Sequence, residues 1–376
     1  MGYPPPVWGG YSAALNALTL PIQAVTSPRL RSCCPNSYEF RDGADPERRE
    51  IMHAYRVEKP GGRFQEIELP RPAPATHQVL VRIYASGVNP LDTKIRAGGA
   101  PHAKQPLPAV LGLDMAGTVE ELGAGVTAFR PGDDVYGMVG GVGGLQGTLA
   151  EFIAVDASLL ARKPTNLSMR QAAALPLIAI TAWEGLVDRA KVHADQTVLI
   201  QAGAGGVGHV AVQLARAYGA NVFATVSPEK RNLVESFGAA PIDYRSVAVE
   251  DYVAACTGGK GFDIVYDTVG GKTLDASFEA VKRSTGHVVS CLGWGTHSLA
   301  PLSFRSATYS GVFTLFPLIS GDGRAHHGEI LARVGALVEA GKLRPLLNER
   351  SLSIHEIDDA HALVESGSTG KVVVDL

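Results

Sequence analysis

The chain has 376 residues, 45% of them hydrophobic and 19% charged, with a formal net charge of −3. That is a globular balance, long enough for two domains of ordinary size. It lacks the long basic run of a nucleic-acid or anionic-membrane binder and any apolar stretch of the roughly 18 residues a bilayer span needs.

Residues 1–51 stand apart from the rest. Their start is turn-rich, 15–25 is mildly apolar and 41–50 is charged without periodicity. No positive charge precedes Arg29, against a signal peptide, so the segment is expected to be a disordered leader or a start-site extension. The four cysteines, Cys33, Cys34, Cys256 and Cys291, form no C-x-x-C pair and no disulfide framework. A reducing cytoplasm fits that usage. From Met52 to about Leu160, short strands (79–85, 116–121, 149–155) are broken by Gly and Pro, which predicts a mostly antiparallel, barrel-like domain. Residues 167–188 read as helical, with Pro176 ending or kinking the first helix.

From 197 onward strands and helices alternate. Strands are expected at 197–201, 221–226, 262–267, 286–292 and 311–316, with a helix at 228–237. Near-continuous apolar strands separated by helices indicate a parallel sheet covered on both faces. Helices at 329–340 and 357–365 precede a final strand, KVVVDL, expected to return to the first domain. The expected division is 52–173 with 320–376 as one domain and 174–319 inserted as the other.

The segment TVLIQAGAGGVGHVAVQLARAYGA, residues 197–220, carries the strongest chemical signal. Gly203, Gly205 and Gly208 have the G-x-G-x-x-G spacing between a strand and a helix. The first permits a tight turn, the second a close approach to a pyrophosphate, and the third close helix–strand packing. Gly206 and Val207 complete the turn, where free N–H groups and the positive helix end face a phosphate. The next strand ends without the acid that usually bonds adenosine ribose. Ser227 and Lys230 follow it and suit a 2′-phosphate, which favours NADPH. Glu229 opposes that preference, and Lys230 also reads as an ordinary exposed helix lysine.

Several motifs together resemble the medium-chain dehydrogenase/reductase superfamily, in its zinc-independent quinone oxidoreductase (ζ-crystallin-like) branch. They are ASGVNPLDTKIRAG (85–98), LPAVLGLDMAGTVEELG (107–123), RPGDDVYG (130–137), GTLAEF (147–152), AAALPLIAITAWEGL (172–186), the glycine turn and VYDTVGG (265–271). The plant enone and furanone reductases share much of this set. The resemblance implies a Rossmann doubly wound parallel sheet inserted into a GroES-like, mostly antiparallel β-barrel domain. It implies Asn89 beside the nicotinamide with Thr181 opposite, Tyr244 at the 2′-phosphate, Gly270 and Gly293 under the cofactor, and Lys371 at the pyrophosphate. Each also has a plain structural reading: a turn, a helix hydroxyl, surface packing, a solvated strand end.

Zinc-dependent members place a Cys where this chain has GVNPLD and a His–Glu pair where it has Leu113 and Asp114. Leucine cannot ligate, and no cysteine lies between Met52 and Cys256, so no metal is expected. His326 and His327, adjacent at a helix start, would point to different faces, and His53, His102 and His193 lack partners at ligand spacing. Without a Lewis acid, the substrates expected are quinones, or alternatively α,β-unsaturated carbonyls (enones), which accept hydride directly. A further alternative is an NADPH-binding structural or regulatory module with little turnover. The proton donor stays unassigned: Lys94 stands where many relatives have tyrosine, as a candidate to polarise a carbonyl or as a solvated lysine, and Ala100 where enoyl-thioester reductases place theirs. Relatives join sheet edges across a two-fold axis, so a homodimer is expected, with Val312 and Leu315 of the apolar strand 311–316 in its interface.

Overall fold

The computed structural model describes residues 51–376; residues 1–50 of the expected leader, with the Cys33–Cys34 pair, lie outside the described residues, and Ile51 opens the first strand. In chain order the strands are β1 (Ile51–Val57), β2 (Phe64–Pro70), β3 (Gln78–Val88), β4 (Ala109–Val110), β5 (Asp114–Leu122), β6 (Asp134–Met138), β7 (Phe152–Asp156) and β8 (Leu160–Arg162). There follow β9 (Thr197–Ile200), β10 (Asn221–Val226), β11 (Ala240–Asp243), β12 (Ile264–Asp267), β13 (His287–Ser290), β14 (Thr308–Gly311), β15 (Leu352–Ser353) and β16 (Val372–Asp375).

β1 to β8 form antiparallel sheets, and the chain's last strand, β16, pairs antiparallel with β3. β3 is the organising strand of this half. It pairs with β5, β7 and β16, and its C-terminal residues Ala85 to Val88 are all buried. Small side chains are required there: a Cβ on Gly87 would stand 2.3 Å from the Ala173 carbonyl oxygen. That carbonyl ends α2 (Met169–Ala173), which therefore lies directly on β3. Pro176 does not kink a continuous helix; it opens α3 (Pro176–Trp183) at a position where its missing N–H costs nothing. α3 continues as one π-helical stretch, Glu184–Arg189.

The second half is a six-stranded parallel sheet in the order β11-β10-β9-β12-β13-β14. Numbered within the sheet, this is 3-2-1-4-5-6, the Rossmann order, in which strand order reverses between β9 and β12 and leaves a crevice at their carboxyl ends. β9 and β12 are almost wholly buried, as strands covered on both faces must be. The fold is thus a Rossmann sheet combined with a GroES-like, mostly antiparallel β domain.

The sixth strand differs from the sequence expectation. It runs Thr308–Gly311, and the residues expected as a strand at 311–316 instead leave the sheet, passing into a short helix, Phe316–Ser320. Val312 and Leu315 are 8% and 5% exposed and pack into the core, so their side chains are buried within the chain and do not form an exposed apolar edge. Within GVFTLF, Val312, Thr314 and Leu315 are buried while Phe313 and Phe316 are exposed, and apolar character alone does not separate a strand from a partly buried turn. Changing Leu315 to Asp should therefore lower the unfolding free energy by about 3 kcal/mol or more, by leaving an unpaired charge buried. Urea denaturation would read this; unchanged stability with only a shift in assembly would contradict it.

Candidate cofactor and substrate cleft

The glycine turn joins β9 to α4 (Gly206–Ala217) at the sheet's switch point. Its glycines have different reasons. A Cβ on Gly203 would meet Ala224 Cβ at 2.5 Å, and one on Gly208 would meet the Ala202 carbonyl oxygen at 2.1 Å, so both serve close packing. Gly206 has nothing nearer than 3.7 Å, so its face is open to the cleft, with Gly205 (3.1 Å) and Val207 beside it. Thr225 braces the turn: its Oγ1 accepts from Ala202 N–H at 2.9 Å and donates to Gln201 Oε1 at 2.8 Å.

Two cavities meet at Ala202, Gly205 and Gly206 and form one trough. The outer one, about 410 Å³, is lined by Ser227, Lys230 and Tyr244. The inner one, about 300 Å³, is lined by Asn89, Lys94, Thr181 and Lys371. The sequence candidates are therefore brought together, at two ends of one groove. Gly270 and Gly293 do not line either cavity. Gly270 is held by packing on the Leu292 carbonyl oxygen (2.5 Å to a Cβ) and a φ of +81°, and Gly293 by the Tyr309 hydroxyl (2.2 Å).

At the outer end Tyr244 is exposed and Ser227 nearly buried. Glu229, which counts against a 2′-phosphate, is paired with Arg245 at 3.2 Å. Hydrogen bonds from its own backbone N–H and from Ser227, together with Arg245, hold its carboxyl below the usual range. The Arg245 guanidinium also lies 5.7 Å from the centre of the Tyr244 ring. Sequence reasoning passed over Arg245, although its place directly after Tyr244 was a usable signal.

The inner end is built on a buried polar cluster. Asn89 is the N-cap of α1 (Pro90–Arg96), forms a capping box with Asp92, and also carries its carboxamide into the cluster. Asn89 Nδ2 donates to Asp114 Oδ2 at 3.0 Å, and Asn89 Oδ1 accepts from Lys371 Nζ. Lys371 also donates to the Val88 carbonyl at 3.2 Å. Asp114 Oδ1 accepts from Leu177 N–H at 2.9 Å, joining β5 to α3. Asp92 Oδ2 accepts from Asn89 N–H at 2.8 Å, while Asp92 Oδ1 has no partner. So the Lys371 ammonium points at the Asn89 carboxamide, with its stem near Gly206.

Burial pushes both carboxyls up, Asp114 to about 6, with Lys371 pulling the other way. Burial likewise lowers the Lys371 ammonium, against the attraction of the two carboxylates. Thr181 Oγ1 donates to the Leu177 carbonyl at 2.7 Å and lies 3.1 Å from Thr314 Oγ1. His102, Trp294 and Phe313 also line this cavity, none of them among the sequence candidates. Among the described residues no group of three His, Cys, Asp or Glu side chains is placed to hold a metal ion, and no helix is long and apolar enough to cross a membrane.

Residues 75–165 match the alcohol dehydrogenase GroES-like domain family, and residues 237–374 the zinc-binding dehydrogenase family. The NADPH-dependent alkenal/one oxidoreductase of Arabidopsis thaliana is 37% identical over 306 residues, 79% of this chain and 72% of that protein. The chain belongs to the medium-chain dehydrogenase/reductase superfamily. Two solved superfamily structures resemble it along nearly their whole length. An alcohol dehydrogenase superfamily protein from Novosphingobium aromaticivorans is 60% identical with a TM-score of 0.85, over 86% of this chain and 99% of that one. The quinone oxidoreductase from Coxiella burnetii is 31% identical with a TM-score of 0.73, over 87% and 99%.

The buried cluster generates a pH-dependent prediction. A carboxyl that titrates higher in the folded than in the unfolded chain holds more protons when folded, so stability falls as pH rises through the window between the two values. For Asp114 that window runs from the ordinary 3.8 to about 6, and Lys371 limits the fall. Lys371→Met should therefore steepen it: the variant should lose more stability relative to the parent at about pH 8 than at about pH 5, by roughly 1–3 kcal/mol. Denaturant unfolding at both pH values checks this, and a pH-independent difference would contradict it.

Proposed function

We propose that the chain is a zinc-independent, NADPH-dependent reductase of conjugated carbonyl compounds. The observation that carries this reading is the single trough running from Ser227, Lys230 and Tyr244, past the open face of Gly206, to Asn89 and Lys94. An extended dinucleotide fits such a path, its pyrophosphate over Gly205 and Gly206 at the start of α4. Ser227, Lys230 and Tyr244 would receive the 2′-phosphate, with Arg245 offsetting Glu229. Asn89 and Thr181 would flank the nicotinamide, with Lys371 fixing the Asn89 carboxamide. The domain division at 174–319, with the remainder after 52 forming the substrate domain, goes with this reading.

Zinc does not fit. Leu113, at the position of a ligating histidine, is buried in the core, and Asp114 is committed to Asn89 and Leu177. A buried ammonium, Lys371, stands where a cation would have to approach. When bound, the dihydronicotinamide supplies hydride; the protein supplies orientation and a largely apolar pocket that limits water. Lys94 lines that pocket and can donate to a substrate carbonyl oxygen, favouring the negative charge that builds there. The resulting enolate or hydroquinone anion takes its proton from solvent at the open mouth.

The alkenal/one oxidoreductase, at 37% identity, is more similar to the chain than the quinone oxidoreductase, at 31%, which favours enone reduction. Quinones are the second reading, supported by the likeness to the Coxiella burnetii quinone oxidoreductase. A homodimer joined along the exposed β14 edge and a reducing cytoplasmic setting for Cys256 and Cys291 complete the proposal. Loss of NADPH absorbance on adding alkenones or quinones tests the activity, and no turnover with any of them would contradict it. For the cofactor, Lys230→Ala should weaken NADPH binding by about 1–3 kcal/mol, the size of a charge-assisted hydrogen bond, and leave NADH nearly unchanged. Fluorescence titration reads both; equal losses for the two nucleotides would remove Lys230 from the phosphate site.

A further inference from the structure

The mouth of the inner cavity is walled by three aromatic rings from distant parts of the chain. His102 follows α1 on the GroES-like side, Trp294 follows β13, and Phe313 follows β14. The His102 and Trp294 rings are 4.5 Å apart, tilted by 38°. Phe313 meets both nearly edge-on, at 6.3 Å and 6.4 Å. These are attractive aromatic geometries, yet Trp294 and Phe313 stay 49% and 41% exposed. Packing within the chain does not account for two large half-exposed rings facing a cavity.

The backbone places Trp294 deliberately. Gly293 before it has no room for a side chain, and Gly295 after it has a φ of +99° that favours glycine. Lys94 lines the same cavity and supplies a charged donor beside the apolar wall. Burial and the nearby Lys94 charge hold the His102 imidazole below its ordinary value, so it is a neutral ring at neutral pH. The wall is thus aromatic and uncharged, with the exposed indole of Trp294 as its largest ring and a cationic group beside it for a carbonyl oxygen.

We infer that Trp294, with Phe313 and His102, is the specificity-determining wall that makes the pocket prefer acceptors carrying a flat ring conjugated to the carbonyl over open-chain ones. The inference rests on the reading of the trough as a hydride-transfer site and names its substrate class. An aryl-conjugated enone lays its ring on the indole and directs its oxygen toward Lys94. An open-chain enone reaches Lys94 equally but leaves the wall uncovered.

Two acceptors that differ only in the ring decide it: 4-phenylbut-3-en-2-one and pent-3-en-2-one. Equilibrium dialysis of the phenyl compound against the full chain with NADP⁺ measures binding without turnover. Trp294→Ala should weaken that binding by about tenfold or more, and Trp294→Phe should restore most of it. In steady-state assays with NADPH, Trp294→Ala should raise KM for the phenyl enone with little change in kcat. It should lower kcat/KM for pent-3-en-2-one several-fold less than for the phenyl enone. Unchanged dialysis binding in Trp294→Ala, or equal losses for the two enones, would overturn the inference. If dialysis shows the loss but the parent reduces neither enone, the aromatic wall stands and the hydride-transfer reading falls.

Discussion

The hydrogen bond from Lys371 to Asn89 ties the last strand of the chain to the turn after β3, and the inner half of the cleft depends on it. The two residues meet because β16 runs antiparallel to β3, with Val372 opposite Val88. Their bond places an ammonium inside the protein beside two buried carboxyls, at a depth where an unpaired ion would be costly. With Lys371 in place, Asn89 is gripped on both sides, by the ammonium at Oδ1 and by Asp114 at Nδ2. Asp114 in turn holds the first turn of α3, which carries Thr181. One chain of contacts therefore sets the positions of groups on both walls of the inner cavity.

The outer half is built on different physics. Its groups are exposed or surface-facing and act through charge: Lys230, the Glu229–Arg245 pair and the Tyr244 phenol. Such contacts weaken with salt, whereas the buried cluster is screened little. A nucleotide bound as proposed would thus have the affinity of its phosphate end tuned without disturbing its reacting end. The glycine turn joins the halves, and its rigidity comes from packing at Gly203 and Gly208 rather than from the open Gly206.

The fold was legible in the sequence wherever a motif had a local cause. The strand–glycine–helix unit, the alternating parallel strands and the small residues of ASGV each reflect a steric need that spacing displays. The sixth strand was misplaced because GVFTLF is apolar for a tertiary reason: Val312 and Leu315 pack into the core and line the inner cavity. Gly270 and Gly293 were recognisable as glycine positions, but spacing could not show that neighbouring carbonyl and hydroxyl oxygens, rather than open space, exclude a side chain there. The aromatic wall was invisible for the same reason. His102 and Phe313 are more than two hundred residues apart in the sequence, and only the tertiary fold brings them and Trp294 together. The buried cluster lay between: Asn89 and Lys371 stood out singly, but their contact, and the burial of Asp92 and Asp114 around it, needed the β3–β16 register.

The proposed function requires that this trough orient a nicotinamide for direct hydride delivery to a conjugated carbon. Isotope tracing tests it most directly, with NADPH carrying deuterium at nicotinamide C4 and 4-phenylbut-3-en-2-one as acceptor in ordinary water. The account predicts a saturated ketone with one deuterium at the carbon β to the carbonyl and a solvent hydrogen at the α carbon. A product with solvent hydrogen at both carbons, or an allylic alcohol carrying the label at the carbonyl carbon, would contradict it.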